Sequence, residues 1–218
     1  MSSSPAPASG PASLDSPVLL TGFAPFDGAA NNPSWDAVQR AADQLRGRGV
    51  AVEARELPVV FDRAGDQLVA AIEALVPRLV IAVGLADGRA AITPERVAIN
   101  VRDARIPDES GAAPVDEPVV PGGPVGRFST LPIKAMVVAA AATGVPAAVS
   151  QTAGTFVCND VFYRVLGALE GTGVRGGFVH VPAARVVPVP EAATALVAMV
   201  ETALSTTVDL ARSGGAVH

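Results

Sequence analysis

The sequence predicts an α/β protein, a single-domain three-layer α/β/α sandwich built around a mostly parallel central sheet. Short, fully apolar segments alternate along the chain with amphipathic segments of helical period. Glycine- or proline-containing turns separate these segments. Half of the 218 residues are hydrophobic and 17% are charged, so the chain can bury a sizeable core.

The first part of the chain predicts three strands and two helices. Apolar or partly alternating runs predict strands over residues 18–20, 50–57 and 79–83. A helix is predicted from Ser34, a favourable N-cap residue, to Leu45, before glycines that can end it. A second amphipathic helix is predicted over residues 61–76. The alternation of strand and helix is typical of parallel βαβ units.

The rest of the chain first changes character and then returns to the same alternation. Residues 85–131 contain no long helical pattern, and only 97–101 are predicted as a strand. So long a loop region in a compact domain is usually functional or disordered. Beyond it, helices are predicted over 132–143, 156–169 and 190–211, and strands over 146–150 and 177–181.

One domain is predicted over residues 17–211. The Ser-, Pro- and Ala-rich residues 1–16 are predicted to be a disordered tail, and residues 212–218 a flexible one. The first tail has neither the basic nor the apolar region of a signal peptide. The uncharged stretch between Lys134 and Asp160 is interrupted by Gly144, Pro146 and Gly154, so it predicts two short buried elements rather than a membrane span.

Composition argues against several kinds of function. A net charge of −5 without basic clusters argues against nucleic acid and anionic membranes as partners. One cysteine excludes an intrachain disulfide and a cysteine-based zinc site, and two histidines make a histidine-rich metal site improbable. No cofactor is expected, and the free thiol favours a cytoplasmic location. Residues 84–89 follow a strand but form neither a GxGxxG nor a Walker A motif.

Cys158 and His180 are the candidate reactive residues. Cys158 falls in the first turn of a predicted helix, where backbone N–H groups and the helix dipole stabilise a thiolate and can hold an oxyanion. A lone cysteine is nevertheless more often a small buried hydrophobe. His180 ends an apolar strand, at the sheet edge where ligands bind in open α/β folds, although a core histidine is the commoner case.

Glu95 is a candidate partner for the imidazole. A carboxylate can hold a histidine in one tautomer and stabilise its protonated form. The alternative is a surface ion pair between Glu95 and Arg96 or Arg105. Sequence order alone does not bring Glu95, Cys158 and His180 together.

Taken together, these segments resemble the pyroglutamyl-peptidase I family of cysteine peptidases, also called pyrrolidone-carboxylate peptidases. The resemblance covers residues 17–204 and rests on separated motifs that occur in the family's order. The motifs are GFAPF at 22–26, NPSW at 32–35, GR at 88–89, ITPERVAIN at 92–100, ARIPD at 104–108, GGP at 122–124, LPI at 131–133, TAGTFVCN at 152–159 and GFVHVP at 177–182.

The resemblance implies a phosphorylase/hydrolase-like sandwich and a cysteine exopeptidase that removes N-terminal pyroglutamate through a thioacyl-enzyme. It implies that Cys158 is the nucleophile, His180 the base and Glu95 the third catalytic residue, with Arg105 supporting the oxyanion. The substrate's lactam ring would contact a further set of residues. These are Phe23, Phe26, Asn32, the main chain at Leu85, Ile106, Phe156 and Val157.

Pyroglutamate has no free α-ammonium group, so its recognition needs no acidic anchor, only an apolar slot with a few backbone partners. The resemblance implies a homodimer or homotetramer. Alternatives are an inactive pyroglutamyl- or peptide-binding protein on the same fold and a nucleotide-handling protein. Asp27 and Asp87 stand where the family usually has glycine, and Val59 and Gln151 also depart from its pattern.

Overall fold

The computed structural model describes residue 13 and residues 15–215. Most of the predicted N-terminal tail, residues 1–12 and 14, and the last three residues of the predicted C-terminal tail, 216–218, lie outside the described residues. The division into one domain and two tails therefore stays a prediction.

Seven strands and five helices follow one another in the described part of the chain. The strands are β1 (Val18–Phe23), β2 (Val52–Leu57), β3 (Leu79–Leu85), β4 (Thr93–Pro94), β5 (Val97–Ile99), β6 (Gly126–Phe128) and β7 (Arg175–Val181). The helices are α1 (Pro33–Gly47), α2 (Arg63–Leu75), α3 (Ile133–Ala142), α4 (Val157–Leu169) and α5 (Val189–Ser205).

Five of the strands form the central sheet, in the order β2-β1-β3-β7-β4. The first four are parallel, and β4 pairs antiparallel with β7 at the edge. Strands β5 and β6 form a separate antiparallel pair. The predicted α/β fold with a mostly parallel sheet is confirmed.

Helices cover both faces of the sheet, as predicted. Along β1 and β3, alternate residues belong to two different hydrophobic clusters because successive side chains point to opposite faces. One cluster packs beneath α1, α3 and α5, and the other beneath α2 and α4. The strands are therefore buried on both sides, which explains their continuous apolar sequences.

The start of one helix, the end of another and one predicted strand differ from prediction. The N-cap of α1 is Asn32, not Ser34, because the Asn32 side chain accepts the Ser34 N–H. Helix α5 ends at Ser205 rather than at residue 211. The chain leaves it through extended Thr206, and the carboxylate of Asp209 then accepts the backbone N–H groups of Lys134 and Ala135 at the start of α3.

The third difference concerns residues 146–150, which form two isolated bridges instead of a strand. Ala147 pairs with Ile92 and Ser150 with Glu95. Pro94 interrupts this pairing because proline has no N–H to donate to a ladder, whereas the Pro146 carbonyl accepts the Ile92 N–H. Within the described residues, none of the helices combines the length and apolar character needed to cross a membrane.

Candidate active site

The three candidate catalytic residues meet at the carboxyl edge of the central sheet. His180 is the penultimate residue of β7, and Glu95 directly follows β4. The antiparallel pairing of these strands places Thr93 opposite His180, and the Glu95 N–H donates to the Phe178 carbonyl at 2.9 Å. Cys158 lies in the first turn of α4, which packs on the same sheet.

Glu95 and His180 form a buried pair. Nδ1 of His180 lies 2.7 Å from Oε1 of Glu95, and both side chains are almost fully removed from solvent. A carboxylate only accepts, so Nδ1 carries the proton and donates it. The neutral tautomer then has its free lone pair on Nε2, which is the nitrogen a general base uses.

Gly84 leaves space for the thiol on the face of the sheet that also carries the imidazole. Gly84 on β3 is the register partner of His180 on β7, so both positions point to the same face of the sheet. A Cβ at Gly84 would lie 2.9 Å from Sγ of Cys158 and 2.8 Å from Cζ of Phe178. The thiol therefore occupies space that a side chain would otherwise take. Sequence reasoning missed this role, whose signal was a glycine at the end of an apolar strand.

The surroundings of the thiol and the imidazole shift both of their pKa values. Burial, together with the negative charge of Glu95, raises the pKa of Cys158 to about 12, and Arg89 and the backbone offset this only in part. Burial lowers the pKa of His180, although the Glu95 carboxylate counteracts it. Both directions favour the neutral forms, so the expectation that His180 and the helix terminus keep Cys158 as a thiolate stays a prediction.

The cation beside Glu95 is Arg89, not Arg96 or Arg105. Nη1 of Arg89 lies 2.5 Å from Oε1 of Glu95. Arg96 instead donates to Gln151 and to the Gly214 carbonyl. The motif that contains Arg89 was recognised in the sequence, but its contact with Glu95 was not, because the five residues between them include a bend and the two-residue strand β4.

A cavity of about 180 Å³ opens beside the thiol. Most of the predicted lactam contacts lie around it. Its lining residues are Phe23, Phe26, Ala29, Asn31, Asn32, Val59, Leu85, Phe156, Val157 and Cys158. Aromatic rings form much of the wall, with the Phe26 and Phe156 centroids 5.7 Å apart. The cavity is thus mainly apolar and has the Cys158 side chain in its lining.

Asn32 also shapes this wall. Its Nδ2 donates to the Ala24 carbonyl at 2.9 Å, and its Oδ1 accepts from the Ser34 N–H and hydroxyl. With these hydrogen bonds the Asn32 side chain stabilises the loop between β1 and α1. The second N–H of Nδ2 has no partner among the described residues and can donate to a ligand.

Arg105 and Ile106 lie apart from the other candidates. Neither residue lines the cavity, and both side chains are exposed. Arg105 has no hydrogen bond or ion pair with another described residue. The expected roles of these two residues stay predictions.

The two aspartates that replace usual glycines have separate structural consequences. Asp27 has a φ of 53°, the left-handed region that favours glycine, and its N–H donates to Glu109. Asp87 forms a bidentate pair with Arg185 at 2.8 and 2.9 Å, which lowers the pKa of Asp87 and balances its charge.

Known proteins share this arrangement of sequence and fold. The family model for pyroglutamyl peptidase matches residues 16–211. A pyrrolidone-carboxylate peptidase of Klebsiella pneumoniae is 55% identical over 212 residues, which cover 92% of this chain and 99% of that protein.

Solved structures give the same result. The crystal structure of pyroglutamyl peptidase I from Bacillus amyloliquefaciens has a TM-score of 0.83 and 40% identity, covering 91% of this chain and 99% of that one. Pyrrolidone carboxyl peptidase from Thermococcus litoralis has a TM-score of 0.78 and 35% identity, covering 87% and 93%.

Proposed function

The chain belongs to the pyroglutamyl peptidase family and is a hydrolase of that type, and from this premise we propose that Cys158, His180 and Glu95 remove N-terminal pyroglutamate from peptides. The observation that carries this assignment is the buried contact of 2.7 Å between His180 and Glu95, at the sheet edge where Gly84 of β3 leaves space for the Cys158 thiol. The imidazole then has the carboxylate partner that a general base requires.

In the first step, Sγ of Cys158 attacks the pyroglutamyl carbonyl carbon while its proton passes to Nε2 of His180. Because the surroundings raise the pKa of the thiol, we expect the transfer to accompany attack instead of preceding it. The carbonyl electrons move onto oxygen, near the N–H groups of the first turn of α4. Phe156 at the N-cap has no side-chain acceptor for them, and each such donor is worth about 3 kcal/mol to the transition state.

In the following steps, His180 returns the proton to the leaving amine as the C–N bond breaks, which leaves a thioacyl-enzyme. Water then attacks the thioester carbonyl and gives its proton to His180. The C–S bond breaks, the sulfur takes back a proton from His180, and free pyroglutamate leaves. Glu95 keeps Nδ1 protonated throughout, so the same nitrogen acts as base and acid in each half.

The cavity provides the substrate site. Its volume of about 180 Å³ accommodates one five-membered lactam. Phe26 and Phe156 would cover the ring, and the main chain at Leu85 would bond its polar edge. Ile106 and Arg105 would complete the site from the exposed segment that follows Ala104.

We also propose that the chain acts in the cytoplasm and as a homodimer or homotetramer. A reaction that depends on one free thiol needs a reducing compartment. Sedimentation at several protein concentrations tests the assembly, and a single monomeric species throughout would reject it.

Release of a fluorescent amine from a pyroglutamyl-amide tests the function. The wild type should release amine, whereas Cys158→Ala should be inactive with an unchanged circular-dichroism spectrum. A prolyl-amide, which lacks the lactam carbonyl, serves as the matched control substrate and should not be cleaved. An inactive, folded and reduced wild type would favour the binding-protein alternative, and an active Cys158→Ala would reject the mechanism.

A further inference from the structure

Glu95 is completely buried, and its two carboxylate oxygens have unequal surroundings. Oε1 accepts from both His180 and Arg89, at 2.7 and 2.5 Å. Oε2 is buried and has no hydrogen-bond partner among the described residues. Arg89 is therefore the cation nearest to a carboxylate that water does not solvate, and a buried charge needs such a partner to stay ionised.

Arg89 also joins the segments that carry the other site residues. Its Nη1 donates to Oγ1 of Thr93, the residue paired with His180 across β4 and β7. Its Nη2 donates to the Thr152 carbonyl at 2.7 Å, in the loop that leads into α4 and Cys158. One planar guanidinium thus contacts Glu95, the strand beside His180 and the approach to the nucleophile.

We propose that Arg89 is a positioning residue for the hydrolysis: it pairs with the Glu95 carboxylate and holds it oriented towards His180, and it fixes the loop before α4 relative to that pair. The proposal rests on the catalytic assignment made above. Arg89 does not line the cavity and does not touch the lactam site. Its contribution should therefore appear in the chemical step and not in substrate binding.

The charge of Arg89 has a defined effect on proton uptake. The charged groups that act on His180 are Glu95 from the β4 side and Arg89 from the loop after β3, and the Cys158 thiol lies on the same face of the sheet. Glu95 raises the pKa of His180 and Arg89 lowers it, so without the cation that pKa would rise. A protonated imidazole cannot accept the thiol proton, so activity at low pH would be lost earlier.

The test compares Arg89→Gln, Arg89→Lys and the wild type over a pH series with a pyroglutamyl-amide. Arg48→Gln is the matched control, because Arg48 pairs with Glu201 on the exposed α1–α5 side. Arg89→Gln should lower kcat at least about tenfold, less than loss of the orienting carboxylate itself, with KM within about twofold. Its acid limb should move to higher pH. Arg89→Lys should keep the wild-type acid limb and recover part of kcat.

Three results would overturn the proposal. One is an Arg89→Gln enzyme with wild-type kcat and acid limb, and another is a loss confined to KM. The third is an equal loss in both variants with an unmoved acid limb, which indicates a merely structural role. If Arg89→Gln does not fold, the proposal is tested by the kcat and the acid limb of Arg89→Lys alone. An inactive wild type, or an active Cys158→Ala, would instead reject the catalytic assignment.

Discussion

At the scale of single residues, Glu95 combines two demands that usually conflict. It must stay ionised to orient His180, yet it lies wholly out of water. Its neighbours resolve the conflict with one cation and one N–H donor on the same oxygen. Because both donors bind the same oxygen, a substitution that removes only the charge of Glu95 should weaken both contacts.

Glu95→Gln should therefore slow the reaction more than it weakens binding. Glutamine keeps the size of the side chain but cannot stabilise an imidazolium, so kcat should fall by a factor of about 10² to 10⁴ while KM changes little. Steady-state kinetics with a pyroglutamyl-amide measure both quantities. Glu73→Gln on the exposed side of α2 is the control. An unchanged kcat in Glu95→Gln would reject the orienting role.

Gly84→Ala tests whether the thiol needs the space above β3. The added methyl group would lie 2.9 Å from Sγ of Cys158 and 2.8 Å from the Phe178 ring, so one of them must move. Overpacking of this kind costs about 1–3 kcal/mol of stability, and activity should fall further than stability explains. Gly47→Ala, with open space around it, is the control for thermal unfolding and kinetics. A fully active Gly84→Ala would show that the thiol does not depend on this space.

At the scale of elements, helix α4 is attached to the loop region by its third residue. Asn159 is fully buried; its Nδ2 donates to the Ile99 and Val101 carbonyls at 2.8 and 3.0 Å, and its Oδ1 accepts the Ile99 N–H at 3.0 Å. The amide thus fixes the end of α4 that bears Cys158 against strand β5. No pattern in the sequence signalled this, because an asparagine in a first helical turn resembles an ordinary capping residue.

Asn159→Ala should consequently affect both stability and catalysis. It leaves buried backbone groups unpaired, at about 1–3 kcal/mol for each lost partner, and frees the start of α4 to shift. Denaturant unfolding should show the loss of stability, and kcat should fall even in the fully folded enzyme. Asn31→Ala, in an exposed position, is the matched control for unfolding. Equal unfolding free energies of Asn159→Ala and the wild type would contradict the anchoring role.

At the scale of the whole molecule, the sheet was predictable and the surroundings of its edge were not. Apolar strands such as β3 and β7 carry a strong local signal because both of their faces are buried. Strand β4 has only two residues and forms by pairing with β7, so the local sequence contains no alternation that could predict it. The hydrogen-bond partners of Glu95 and Asn159 are likewise set by tertiary contacts. The motif resemblance named the candidate reactive residues but not the hydrogen bonds that position them.

The stability of the whole fold should decrease at acidic pH, and Asp108 is a main reason. Asp108 ties the long loop to the segment before α2 by accepting the Phe61 N–H at 2.8 Å, and it also accepts from Ser110 and Ala112. Burial alone would raise the pKa of Asp108, but these hydrogen bonds outweigh it and the pKa lies below its usual value. A lowered folded pKa gives stability that is present above the unfolded value, near about 3.9, and is lost as pH falls through the folded value.

Asp108→Asn should therefore cost stability at pH 7 and progressively less below about pH 4. At pH 7 the amide loses an acceptor and turns an N–H₂ group towards donors, a loss of about 1–3 kcal/mol. At pH 3 the unfolded state is already largely protonated at this carboxyl, so the wild type has lost part of this contribution and the two free energies of unfolding should be closer. Urea unfolding at both pH values measures this, with Asp43→Asn in the exposed pair with Arg46 as the control. A difference between wild type and Asp108→Asn that is the same at both pH values would mean that the ionised carboxylate does not hold the loop, and that the acid sensitivity of the fold has its origin elsewhere.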